Sequence, residues 1–145
     1  MADDWNIQKE SVFKNRYTVK SLIARGGIGR TYLAVDSTNE NRVVLKALNF
    51  NKLKDWKKLE LFKREVKVLK NIQYPLIPNY HDYFEADYSN QKLFILVQEY
   101  VNGKNLYQQI KEGKEFSAEE AVAILKSLLT TLDYIHNLTP PPGSP

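Results

Sequence analysis

The chain has 145 residues, 43% of them hydrophobic and 26% charged, with six Gly, six Pro and a net charge of +4. That length holds one ordinary domain or part of a larger one, and the composition is that of a globular protein, not a disordered or fibrous one. With no cysteine and only His81 and His136, disulfides and Cys-ligated metals are excluded, and no metal site is expected.

Met1, Ala2, Asp3 and Asp4 lack the basic-then-apolar profile of a signal peptide. The longest apolar run, from Leu93 to Val97, is far short of the roughly 20 residues a membrane span needs. A cytoplasmic protein without a membrane partner is the expectation. Residues 1–16 read as an N-terminal extension.

Residues 17–23 and 30–36 are short runs rich in β-branched and aromatic side chains, and Ala24-Arg25-Gly26-Gly27-Ile28-Gly29 joins them as a hairpin. After a polar turn, residues 42–48 read as a third strand. Residues 55–72 read as a helix, with Leu59, Phe62, Val66, Leu69 and Ile72 at spacings of three and four, stopped by Pro75 and Pro78. Residues 79–84 and 93–101 read as two further strands joined by the polar segment 85–92. Beyond Gly103 the pattern is helical: Ser117 and Glu120 form a capping box, followed by the apolar stripe of Ala121, Ile124, Leu125, Leu128, Leu132 and Ile135. Four prolines in residues 140–145 cannot continue it, so the ordered part is expected to end near Asn137.

The charge is concentrated. Lys52, Lys54, Lys57, Lys58, Lys63, Arg64, Lys67 and Lys70 stand against only Asp55, Glu60 and Glu65. No base-reading or aromatic stacking pattern accompanies them, so a solvated helix face is the expectation and nucleic acid is not an expected partner.

Three glycines in four positions allow backbone N–H groups to converge on one point, which suits phosphate oxygens, although glycines also serve turn geometry alone. The P-loop and dinucleotide fingerprints both require a helix next; Thr31-Tyr32-Leu33-Ala34-Val35 reads as a strand. In the third strand, period two places Val44, Lys46 and Leu48 on one face and Val43, Leu45 and Ala47 on the other, so Lys46 is the single charge on otherwise apolar faces. A buried lysine is costly unless paired. On the following helix, Glu65 falls inside the apolar stripe, about 60° from Phe62 and about 40° from Leu69. The two anomalies answer each other, although each alone is also compatible with a lysine that snorkels and a glutamate on the stripe margin.

Glycine hairpin, strand lysine, helix glutamate is the order of a protein kinase, and the sequence resembles one. Residues 23–32 resemble G-x-G-x-x-G-x-V, Val43-Val44-Leu45-Lys46 resembles V-A-I-K, and Phe62-Lys63-Arg64-Glu65-Val66 resembles the helix with the pairing glutamate. Tyr74-Pro75-Leu76-Ile77 is similar to the turn after that helix, and residues 93–103 to the fifth strand and hinge. The likeness is to bacterial, cyanobacterial-type Ser/Thr kinases.

The resemblance implies an α+β fold: a kinase N-lobe over residues 17–101, with a five-stranded antiparallel sheet and one inserted helix. The hinge exit and two helices of an incomplete C-lobe would follow over 102–138, and a Pro-rich tail over 139–145. It implies ATP as ligand, with Gly26, Gly27 and Gly29 over the phosphates and Lys46, paired with Glu65, on the α- and β-phosphates. Ile23 would be among the nucleotide-binding residues, and Thr31 and Val44 would stand at the adenine ceiling, making that pocket a little more polar and narrower. Gln98 would be the gatekeeper, the backbone of Glu99 and Val101 would bond adenine, and Asn105 would stand at the ribose. Ala24 replaces the first glycine of the pattern.

After Tyr134-Ile135-His136-Asn137 no H-R-D or D-F-G follows. The catalytic Asp and the Mg²⁺ holders are thus missing, and Mg²⁺ would bind only with the missing half supplied. The expectation is a kinase fragment truncated before the catalytic loop: Ser/Thr phosphorylation belongs to the complete domain, and these residues are inactive alone. The competing expectations are a nucleotide-binding or regulatory module docked on another protein, and a basic adaptor that binds no nucleotide. Expected partners are ATP, a protein substrate or the missing C-lobe, and a second copy through the helix bearing Ile124 and Ile135.

Overall fold

The computed structural model describes residues 5–26, 29–52 and 56–138. Two compact units emerge, one of residues 1–74 and 78–100, the other of residues 75–77 and 101–145.

The first unit is a six-stranded antiparallel sheet with one long helix. Its strands are β1 (Val12–Phe13), β2 (Tyr17–Arg25), β3 (Gly29–Asp36), β4 (Asn41–Asn49), β5 (Tyr80–Tyr88) and β6 (Gln91–Glu99), in the order β1-β2-β3-β4-β6-β5. Helix α1 (Trp56–Lys70) is inserted between β4 and β5. The five expected strands are β2 to β6. The sixth, β1, corrects that count: it has two residues, too few for alternation to show in the sequence. Lys14 and Asn15, at φ 55° and 51°, turn the chain from β1 into β2, a left-handed conformation that asparagine tolerates better than most residues.

Strand β5 is also longer than expected, because segment 85–92 is mostly strand. Phe84, Ala86 and Tyr88 pack on the core, while the intervening Glu85 and Asp87 face away. Ser89 and Asn90, at φ 50° and 62°, close the two-residue turn into β6.

Strand β6 carries the centre of the fold. Leu93, Ile95 and Val97 face one side with Val43, Leu45, Ala47, Tyr17, Val19, Tyr32 and Ala34, and this layer also receives Ile7 and Phe13 from the N-terminal residues. Phe94 and Leu96 face the other side with Leu48, against Leu59, Phe62 and Val66 of α1. Burial of those three helix side chains, at about 1.5–3 kcal/mol each, is what docks α1 on the sheet. At the turn between β3 and β4, the buried Asp36 carboxylate accepts two bonds from Arg16 (2.9 and 2.7 Å) and two from Thr38 (3.0 and 2.7 Å).

The second unit contains α2 (Leu106–Lys111) and α3 (Ala118–His136). Both start with capping boxes, Asn105 with Gln108 and Ser117 with Glu120, each satisfying two orphan amides. Helix α3 ends one residue before Asn137, whose amide caps it on Asp133 and Ile135. The proline-rich residues 139–145 and the expected helix start at Asp55 lie outside the described residues.

Candidate nucleotide site

Register brings the sequence candidates onto one face of the sheet. Thr31, Lys46 and Leu96 stand opposite one another across β3, β4 and β6; the next row is Leu33, Val44 and Gln98. Because period two holds along each strand, Thr31, Val44, Lys46 and Gln98 share the face that carries α1. Gln98 is buried there at 8% exposure.

Lys46 and Glu65 meet. The Lys46 Nζ donates to Glu65 Oε1 at 3.3 Å. Their side chains are 42% and 46% exposed, which corrects the expectation of a lysine buried among apolar groups. Alternation along a strand assigns the face but not the depth, and this pair stands where the face is open. An ion pair so exposed contributes about 0.2–1 kcal/mol, so its ammonium is held in place without being consumed by a tight pairing.

The glycine hairpin is closed by the Gly26 amide, which donates to the Gly29 carbonyl at 2.8 Å, with Arg25 and Arg30 paired beyond it. The Gly26 N–H is therefore not one of the amides converging on a common point, as expected for the loop. Gly27 lies outside the described residues. Gly29 is glycine for a packing reason: a Cβ there would sit 2.6 Å from the Ala47 carbonyl oxygen on β4. Among the described residues, a Cβ added at Gly26 would meet only Gly29 O, at 3.5 Å, an ordinary contact.

Ile23 is the extra residue of a bulge in β2, between the pairs Leu22 with Tyr32 and Ala24 with Thr31. Bulges redirect side chains near sites, and nothing in the sequence announced this one. At the end of β6, the Glu99 amide donates to the Asn79 carbonyl at 2.8 Å, so a ligand bond from the Glu99 backbone must come from its carbonyl. Val101 and Asn105 belong to the second unit. Val101 is exposed, and the Asn105 side chain accepts the Gln108 amide at 2.8 Å as the cap of α2. That use was legible as Asn-x-x-Gln before a helix.

An antiparallel five-strand core with an inserted helix, whose glutamate reaches a lysine beside a glycine hairpin, defines a class, and comparison with known proteins agrees. The family profile described as protein kinase domain matches residues 17–139. This chain belongs to the protein kinase family. It is 34% identical over 128 residues to serine/threonine-protein kinase B of Synechocystis, covering 84% of this chain and 22% of that protein. With serine/threonine-protein kinase D of the same organism the identity is 37% over 131 residues, covering 85% and 24%. With human serine/threonine-protein kinase tousled-like 2 it is 31% over 143 residues, covering 96% and 18%. The chain thus spans less than a quarter of these relatives. The crystal structure of the Mycobacterium tuberculosis PknI kinase domain has the same fold, with TM-score 0.70 at 23% identity, covering 90% of this chain and 52% of that one.

The family uses ATP and Mg²⁺. Lys46 held by Glu65 is a fitting donor for phosphate oxygens. Among the described residues no group of three or more His, Asp or Glu side chains stands close enough to hold a metal ion. Nor does any helix of the described residues have the length and apolarity to cross a membrane.

Proposed function

We propose that this chain is the ATP-binding portion of a cytoplasmic Ser/Thr protein kinase. The observation that carries the reading is the 3.3 Å contact between Lys46 and Glu65, beside the glycine hairpin and on the same sheet face as Thr31, Val44 and Gln98. A half-exposed ammonium oriented by a carboxylate can bind the α- and β-phosphates. Ile23, Thr31, Val44 and Gln98 would surround adenine, with the Glu99 carbonyl bonding its edge. When bound, ATP supplies the transferable phosphoryl group; Lys46 holds the phosphates and Glu65 keeps Lys46 in place. The acceptor would be a protein Ser or Thr hydroxyl, in keeping with the names of the relatives.

No transfer is expected from the 145 residues alone. They contain neither H-R-D nor D-F-G, and positioning of the acceptor with metal-assisted charge neutralisation makes up nearly all of this catalysis.

Titration with a non-hydrolysable ATP analogue, followed calorimetrically, tests the reading. Wild type should bind, and Lys46→Met should weaken binding about tenfold or more, about 1.4 kcal/mol, without changing the melting temperature by more than a few degrees. Equal affinity in the two proteins would remove Lys46 from the site.

A second reading concerns α3. Leu125, Leu128, Leu129 and Leu132 are 47–56% exposed, an apolar surface that supports pairing with a second copy of the chain.

A further inference from the structure

The residues expected to be a mere N-terminal extension are bonded across the sheet. The Ile7 amide donates to the Tyr32 hydroxyl (3.1 Å) and the Gln8 amide to the Tyr88 hydroxyl (2.9 Å). The Glu10 amide donates to Val19 O (2.8 Å) and the Val19 amide to Ser11 O (2.9 Å). Ile7 is buried at 4% exposure in the layer opposite α1. Residues 5–11 thus form a strap that reaches both β3 and the far end of β5.

One end of this strap holds Arg30. The Arg30 guanidinium donates to Asn6 Oδ1 at 2.7 Å and lies 4.7 Å from the centre of the Trp5 ring. Arg30 follows Gly29 at the mouth of the glycine hairpin and faces Arg25 across it. Like charges directly opposite on paired strands repel, so a contact that fixes Arg30 favours a closed mouth. Arg30 also stands opposite Ala47, whose side chain joins the strap-side layer, whereas Thr31, its neighbour, stands opposite Lys46 on the other face. The strap therefore grips the hairpin from behind, through the sheet, at the residue adjoining the nucleotide face.

We propose that residues 5–11 are a positioning strap that sets the glycine hairpin through Asn6, Trp5 and Arg30. Nucleotide affinity then depends on whether the strap is seated. The hairpin's closure is held on one flank by the contact of Gly29 with β4 and on the other by Arg30 on the strap. Asn6 and Trp5 touch no ligand; they act through Arg30. The affinity consequence rests on the ATP-binding reading above, while the mechanical coupling does not.

The test is hydrogen exchange on the full chain, read separately over residues 22–33 and 91–99, in wild type, Asn6→Ala, Trp5→Ala and Asn6→Asp. Loss of a bond to a charged group should speed exchange over 22–33 about tenfold in Asn6→Ala, leaving 91–99 unchanged. Trp5→Ala should act in the same direction, and Asn6→Asp, which keeps the acceptor oxygen, should restore protection. The affinity for the ATP analogue should fall about threefold or more in Asn6→Ala and recover in Asn6→Asp. Unchanged exchange over 22–33, or equal acceleration in both segments, overturns the proposal, the second because it marks general destabilisation. If wild type binds no nucleotide, the ATP-binding reading falls, and the exchange result still decides the strap.

Discussion

In the first unit Leu93, Ile95, Leu96 and Val97 are fully buried in β6, while in the second α3 carries an apolar stripe of its own and buries none of its residues. The difference teaches that periodicity reports which face wants to be covered, and contact alone decides whether it is. The sheet satisfies both faces within its own unit, with α1 on one side and the N-terminal strap on the other.

Truncating matched leucine-sized side chains breaks the comparison most directly. Ile95→Ala should cost about 2–5 kcal/mol in denaturant unfolding, because the site is closed on all sides. Leu125→Ala should stay within about 0.5 kcal/mol at low protein concentration. Comparable costs for the two would mean that α3 is as well packed as β6.

Raising the concentration sharpens it. Sedimentation should show a dimer or larger species that returns to monomer in the Leu128→Glu, Leu132→Glu double variant. A monomer at all concentrations would show that the exposed stripe tolerates water.

The pH limits should belong to the sheet unit. Arg16, aided by Thr38, holds the Asp36 carboxyl well below the usual carboxylate range. A depressed carboxylate contributes stability present above about pH 4 and lost as pH falls below it. Burial, with the charge of Asp82, pushes the Tyr17 phenol up to about 12. That contribution is complete below about pH 10 and is lost as pH rises toward the folded value. Unfolding curves across pH should therefore steepen at both ends, and Asp36→Asn should flatten the acid limb alone.

The smallest effect is at the site. A double-mutant cycle of Lys46→Met and Glu65→Gln should show coupling of about 0.2–1 kcal/mol, as suits a half-exposed pair. Coupling of several kcal/mol would place the pair in a drier setting than its exposure indicates.

Much of this was legible in the sequence because its signals are local. Alternation located β2, β4 and β6, spacing of three and four located α1, and together they set Lys46 and Glu65 toward each other. What was not legible depends on distant partners. Trp5 and Ile7 are too sparse among polar neighbours to mark a strap, and Tyr32, Tyr88 and Arg30, far along the chain, bond or stack on residues 5–8. In β5, Glu85 and Asp87 disguised an alternation that Phe84, Ala86 and Tyr88 carry. The depth of Lys46 and the bulge at Ile23 likewise depend on how neighbouring strands twist and end, which one-dimensional spacing does not encode.

The contact of Gly29 with the Ala47 carbonyl has a bearing on how any future mutagenesis of the hairpin should be interpreted. A side chain at Gly29 must push β3 away from β4, so lost ligand binding there confounds two causes, a remodelled hairpin and a disturbed sheet. Among the described residues nothing crowds a methyl group at Gly26, so a substitution there carries less of that ambiguity. Of the two described glycines in the hairpin, Gly26 is the more informative probe and Gly29 the misleading one.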